Sequence, residues 1–425
     1  MIPILSNSTA ANLFYKVISD RVAPTYRTST PTLWMMTNDK RGATQKGQKA
    51  GTKGFFDRFE NATMYLTIST QAARAAATQP GNQFSFSSIN LNQYALPVRT
   101  VFASVRYAGL VEDSTASPLG SIEKFTKQVS ADLTNGMKLE LSRMLWGNVG
   151  TGNGANPLAT TQALGSATKT IPIQSLDAAG DGSRYSTMYM ALNQAIQING
   201  ATGGTSIPNN VSATTITGMT VNTTPATITV ADALTFAADE AITVVGNDGN
   251  PTYEIQGIQA IMQNATNVVQ GVDLSTMTYG FPHVYPSTGT FTISEYSKGL
   301  NECMLAKPSV EVCNRFVYNT IAQTLISNER TGMGPSSFLD AGYKGFTSHQ
   351  NSMEVILDYD CPGNSLYGFY PDAWTLAVLN DVQMIPMGMM RVVGYDVFEF
   401  AVKWRGQAGC GLIEPNYVYS GITTV

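Results

Sequence analysis

The stretch "MLWGNVGTGNGANPLA", residues 144–159, packs Gly147, Gly150, Gly152 and Gly154 into eight positions. Glycine loops that grip phosphate follow a strand and open a helix, because the free N–H groups of a helix N-terminus hold the anion. Here the order is reversed. Upstream lies "SIEKFTKQVSADLTNGMKLELSRMLW", residues 121–146, with apolar Ile122, Phe125, Val129, Leu133, Met137, Leu141 and Leu145. One step of three and five of four put these residues on one face of a long α-helix. Ser121 suits its N-cap, Glu123 suits the positive end of its dipole, and Gly147 suits a left-handed stop. No helical pattern follows the glycines and no Lys-Ser/Thr pair closes them. The stretch reads as the end of a helix, and a nucleotide-binding loop is excluded.

Apolar residues make up 43% of the chain and charged residues only 13%, about half the usual charged share. Net charge keeps proteins apart in solution, so a surface this poor in charge suits a protein covered by copies of itself. The net charge of −4 excludes a global nucleic-acid signature. The first 60 residues differ. Lys16, Arg21, Arg27, Lys40, Arg41, Lys46, Lys49, Lys53 and Arg58 stand there against Asp20, Asp39, Asp57 and Glu60. Within them, "DKRGATQKGQKAGTKG" carries Lys40, Arg41, Lys46, Lys49 and Lys53 in a glycine-rich run that cannot fold alone. It needs an ordering partner, either nucleic-acid phosphates or an acidic patch on a neighbour. The absence of a basic leader with a long apolar run predicts no secretion signal, and no apolar run is long enough to span a membrane.

Residues 1–60 read as an extended arm. Residues 61–112 read as a long β-hairpin: "ATMYLTIS" alternates Met64, Leu66 and Ile68, and "FSFSSINLNQYALPVRTVFASVRYAG" runs on through Val101, Ala103, Val105 and Tyr107. Between its arms lies a Pro80-Gly81 turn. Residues 155–250 change character, with few charges and many Thr, Ala, Gly and Asn. Short strand-like runs recur there ("TKTIPI", "AIQING", "ATTITGMTVN", "ATITVADA", "AITVVGND"), which predicts a small β-barrel or sandwich inserted as a unit. "YSTMYMALNQAIQ" fits either a helix or a strand. Further on, "SEYSKGLNECMLA" and "NRFVYNTIAQTLI" read as helices. "SMEVILDYD", "LYGFYP", "TLAVLN", "MMRVVGYDVFEFAVKW" and "CGLIEPNYVYSGITT" read as strands, the last two forming a central sheet.

The search for chemistry finds little. Cys303, Cys313, Cys361 and Cys410 show no metal spacing and read as buried thiols. His283 and His349 are the two histidines, and both read as packed loop residues. The acidic pairs Glu112–Asp113 and Asp358/Asp360 read as solvated strand ends or inter-subunit contacts, and Asp248 sits in a hairpin turn without the spaced acids of a calcium loop. No catalytic, cofactor or metal residue is identified, and no enzyme is expected.

The run from "FSFSSINLNQYALPV" through the helix to "GNVGTGNG", residues 84–154, resembles the tailed-phage major capsid proteins of the Hong Kong 97 type. "YEIQGIQAIM", the span "GVDLSTMTYGFPHVYPSTGTFTISEYSKGLNECMLAKPSVEVCNRFVYNTI" and "FEFAVKWRGQAGCGLIEPNYVYSGI" resemble later parts of that family. The likeness covers all but residues 155–250 and rests on order and pattern. It implies an α+β capsid fold: arm 1–60, extended hairpin loop 61–112, "spine" helix and first part of a peripheral domain 113–154, and an inserted β-domain 155–250. The second part of the peripheral domain follows at 251–306, then an axial domain 307–392 and a closing β-segment 393–425. It implies a shell of hexamers and pentamers around double-stranded DNA, assembled in a host cytoplasm, with portal, scaffolding and decoration proteins as allowed partners. Such lattices bury far more than the ~1,600 Å² of a standard pairwise contact. Some shells of this type join a hairpin lysine to a neighbour's asparagine. From Ala62 to Ala95 the hairpin has no lysine and Arg74 as its only cation, and arginine stays protonated and is a poor nucleophile. Arg74 thus joins the five arm cations as a candidate inter-subunit or DNA contact. Two other readings remain at this point: an encapsulin-type nanocompartment shell, and a β-rich tail or adhesin protein.

Overall fold

The computed structural model describes residues 4–5, 30–33, 63–71, 90–108, 120–147, 157–174, 187–199, 213–245 (without 222 and 224), 254–262, 268–269, 272–273, 283–303 (without 288 and 290), 306–328, 346–348, 353–361, 364–384, 390–391 and 397–422. The long helix runs Gly120–Leu145. Its inner side packs on a five-stranded sheet of Ile4–Leu5, Arg99–Ala108, Val397–Cys410, Trp374–Met384 and Met390–Arg391. Met137, Leu141 and Leu145 of the helix share one core with Val101, Leu376, Val402 and Trp404 of that sheet. The sequence pattern implied one apolar face along the helix. Its last turn departs from that, for Leu141, Ser142, Arg143, Met144, Leu145 and Trp146 are all buried. Other parts of the chain converge there from every side.

A six-stranded sheet is ordered His283–Pro286, Tyr417–Ser420, Leu366–Phe369, Val310–Cys313, Met353–Leu357 and Phe346–Ser348. Its middle strands Leu366–Phe369 and Val310–Cys313 are buried along their whole length, on both faces. Val310, Val312, Tyr367, Phe369 and Val418 face the helix-bearing core. Cys313, Leu366, Tyr417 and Tyr419 face a second core with Tyr296 and Leu300 of helix Ile293–Glu302 and Val317 and Ile321 of helix Arg315–Asn328.

One row across this sheet has a particular construction. Glu311 pairs with Gly368, and Gly368 pairs with Tyr417. A Cβ on Gly368 would lie 2.0 Å from the Tyr417 ring. The missing side chain lets that ring cross the middle strand and donate its hydroxyl to Glu311, which also accepts from the Tyr296 hydroxyl. Glu311 is only 1% exposed. Burial raises its pKa from 4.5 to about 7, and the two tyrosine hydrogen bonds only partly oppose this. Between those values the folded chain holds a proton that the unfolded chain has lost, so stability falls as pH rises through the window and is flat below it. Urea midpoints measured across that window should fall with pH in the native chain, and Glu311→Gln should remove most of the slope. A slope unchanged by Glu311→Gln would refute the assignment.

Residues 159–244 close a six-stranded barrel in the order Ala241–Val244, Ala159–Thr161, Gly165–Gln174, Ala226–Phe236, Thr214–Thr220 and Ala195–Asn199. Its core, including Ile171, Ile173, Ile196, Ile216, Ile228, Phe236 and Ile242, shares no residue with the other two. The ambiguous "YSTMYMALNQAIQ" is not helical where it is described: a turn at Thr187–Tyr189 leads into strand Ala195–Asn199. Asn193 takes a left-handed φ of 64°, and its N–H bonds to Ile216 of the neighbouring strand. Both features break a helical run.

Three other sequence expectations change. The continuous second hairpin arm splits at Val98. Asn90–Pro97 pairs with Thr63–Gln71, whereas Arg99–Ala108 joins the five-stranded sheet. Pro97 has no N–H to extend the ladder, which accounts for the break. "MMRVVGYDVFEFAVKW" forms two paired strands rather than one. The last two long strands do not share a sheet, since Val397–Cys410 and Tyr417–Ser420 lie in different ones. The fully buried Asn416 makes that corner. Its Oδ1 accepts from Tyr370 N at 2.9 Å and Trp374 Nε1 at 2.8 Å, and its Nδ2 donates to the carbonyls of Leu412 and Ile413.

Candidate functional site

A bonded polar region of the described residues lies at the C-terminal end of the long helix. The chain leaves the helix at Gly147 and comes back against the same residue after the barrel. Ala260 N donates to Gly147 O at 3.3 Å. A Cβ on Gly257 would sit 2.3 Å from Gly147 O. Gly147 therefore does more than stop a helix: two stretches of backbone touch there, and the returning one needs the bare Cα of Gly257.

Arg143, 4% exposed, lies beside this contact. Its guanidinium bonds Glu140 one turn back and Glu254 at 2.7 Å, and reaches Pro157 O at 3.5 Å. It thus holds the start of the barrel segment and the strand of chain that returns from it. Burial alone would weaken its charge, but the two carboxylates outweigh that and raise its pKa above the ordinary value.

Asp358 and Asp360 complete the junction. Asp358 is fully buried rather than a solvated strand end. Its Oδ2 accepts from Thr32 N at 3.2 Å, from the Thr32 hydroxyl and from Trp146 Nε1 at 3.1 Å. Its Oδ1 accepts from Asp360 N at 2.9 Å. Asp360 in turn accepts from Ser142 Oγ at 2.5 Å and from the Tyr189 hydroxyl of the barrel. Four separate stretches of chain therefore meet on two carboxylates. The "LDYD" pair is visible in the sequence but its donors are not, since all but Asp360 itself come from positions 171 to 326 residues away.

All four cysteines are buried and free. Burial pushes the Cys303 and Cys410 thiols up to about 12, and those of Cys313 and Cys361 well above the ordinary range, which removes the thiolate. His283 contacts Glu414 at 3.3 Å and Glu302 at 3.8 Å. Among the described residues no group of three His, Cys, Asp or Glu side chains could hold a metal, and no helix is long and apolar enough to cross a membrane. Lys40, Arg41, Lys46, Lys49, Lys53, Arg74, Glu112, Asp113, Asp248 and His349 lie outside the described residues.

No family model matches the chain, and no curated protein matches its sequence. Solved structures do. The cyanophage A-1(L) capsid asymmetric unit aligns over 99% of this chain and 100% of its own, with a TM-score of 0.55 at 12% identity. The chain has the fold of a phage capsid subunit. The capsid of a native GTA particle aligns over 98% and 100% of the two chains, at a TM-score of 0.49 and 10% identity. A Mycobacterium phage Bobi structure aligns over 99% and 100%, at 0.45 and 11%. In this capsid fold, the junction at Gly147 ties the barrel to the body.

Proposed function

We propose that the protein is the major capsid protein of a tailed double-stranded DNA phage, assembling from hexamers and pentamers into an icosahedral shell around the genome. The observation that carries this reading is the end-to-end likeness to the cyanophage capsid subunit, with almost no chain left over on either side. The low charged fraction of 13% supports it, because such a surface is suited to burial against copies. On this reading helix Gly120–Leu145 is the Hong Kong 97-type spine, Thr63–Gln71 with Asn90–Pro97 is the base of the extended loop, and the barrel is an inserted domain. Lys40, Arg41, Lys46, Lys49, Lys53 and Arg74 then serve contacts to a neighbouring subunit or to DNA. The lysine-free hairpin supports a shell held without a lysine–asparagine bond. Purified protein should scatter light as assemblies far heavier than a 45.6 kDa chain. A stable monomer at high concentration, with scaffold supplied, would contradict the proposal.

A further inference from the structure

We infer that the turn at Asp358–Cys361 couples the barrel to the N-terminal arm, so that a change in how the barrel is seated alters the hold on residues 30–33. The inference concerns communication within the subunit and goes beyond a shell-forming role. The turn is closed by Cys361 N on Asp358 O at 3.3 Å and by Asp360 N on Asp358 Oδ1 at 2.9 Å. Asp360 faces outward to the barrel through the Tyr189 hydroxyl. Asp358 faces inward and grips the arm through the Thr32 amide and hydroxyl. The Asp358 carboxylate thus accepts from the backbone N–H of Asp360, the residue whose own carboxylate takes the Tyr189 hydroxyl.

The long helix backs both of them. Ser142 donates to Asp360 and Trp146 donates to Asp358, from positions four apart on one helix face. Asp358 has no exposure to water, so it cannot trade a lost donor for solvent without leaving its place. A buried network that is only partly satisfied is costly, so loss of one donor favours rearrangement of the whole turn. The coupling then takes the form of an equilibrium between a closed turn with Thr32 held and an open turn with Thr32 released. Tyr189 biases this equilibrium from the barrel side and Thr32 biases it from the arm side. Two sites that bias one two-state element are coupled, and the coupling is reciprocal.

Hydrogen exchange followed by mass spectrometry on the full chain tests this in both directions. Tyr189→Phe keeps the ring, which packs against the barrel core, and removes only the hydroxyl. It should speed exchange of a peptide covering residues 30–33 by about fivefold or more. Thr32→Val should in turn speed exchange across residues 187–194, where Met190 and Asn193 amides are bonded in the native chain. Peptides from Val397–Cys410 should not change in either variant. If each variant loosens only its own segment, or if exchange rises uniformly through the chain, the coupling is refuted.

Discussion

Replacing Arg143 with leucine is expected to lower the stability of the subunit body by about 3–5 kcal/mol. Leucine fills much of the space, so the loss is electrostatic rather than a cavity. Glu254 is 5% exposed, and its Oε2 has no hydrogen-bond partner among the described residues. Without Arg143 its remaining carboxylate oxygen loses the 2.7 Å bond, and a buried charge is left without its counterion. Pro157 O loses a donor at the same time. The four tryptophans, Trp34, Trp146, Trp374 and Trp404, all lie outside residues 155–250, so tryptophan fluorescence in urea reads the body without the barrel. The triple change Arg143→Leu, Glu140→Gln, Glu254→Gln should recover most of the loss, because a neutral set carries no uncompensated charge. An Arg143→Leu loss below about 1 kcal/mol, the scale of an exposed pair, would show that the triad is solvated.

Gly257→Ala is expected to cost about 1–3 kcal/mol or more, the range for forcing atoms into a filled site. The new Cβ would meet Gly147 O at 2.3 Å, its N at 2.4 Å and its carbonyl carbon at 2.8 Å. These are backbone atoms at the end of a buried helix turn, so no side chain can swing aside. The shift that relieves the clash also pulls Ala260 N away from Gly147 O. Gly136→Ala, within the helix Gly120–Leu145 that Gly147 follows, is the internal control. Nothing lies within 4 Å of its added Cβ, so alanine should be neutral to stabilising there by up to about 1 kcal/mol. The fluorescence-detected urea midpoint should fall for Gly257→Ala and stay level or rise for Gly136→Ala. Equal effects would contradict the close backbone approach at Gly147.

The elements that sequence reading located well are those with a strong local period. The long helix follows from apolar steps of four residues and from the glycine that ends it. The strands of the barrel follow from short Ile- and Val-bearing runs separated by turn residues. Pairing partners were less accessible, because a strand's period reports which side chains share a face and not which strand lies beside it. Val397–Cys410 and Tyr417–Ser420 look like successive strands of one sheet, and it takes the buried Asn416 to turn the chain between two sheets. The junction was hidden for the same reason. Arg143, Tyr189 and Glu254 belong to no motif, and Asp358 looks like any acid at a strand end until Thr32 and Trp146 arrive from distant positions. The glycines drew attention as a candidate loop, yet the role of Gly147 became visible only with Gly257 against it.

Electron microscopy of the purified, assembled protein tests shell formation most directly. The proposed function predicts closed particles of uniform diameter whose averaged density shows icosahedral symmetry with five- and six-fold clusters of subunits. Discrete trimers, fibres or spikes would contradict it and would favour a tail or adhesin role instead.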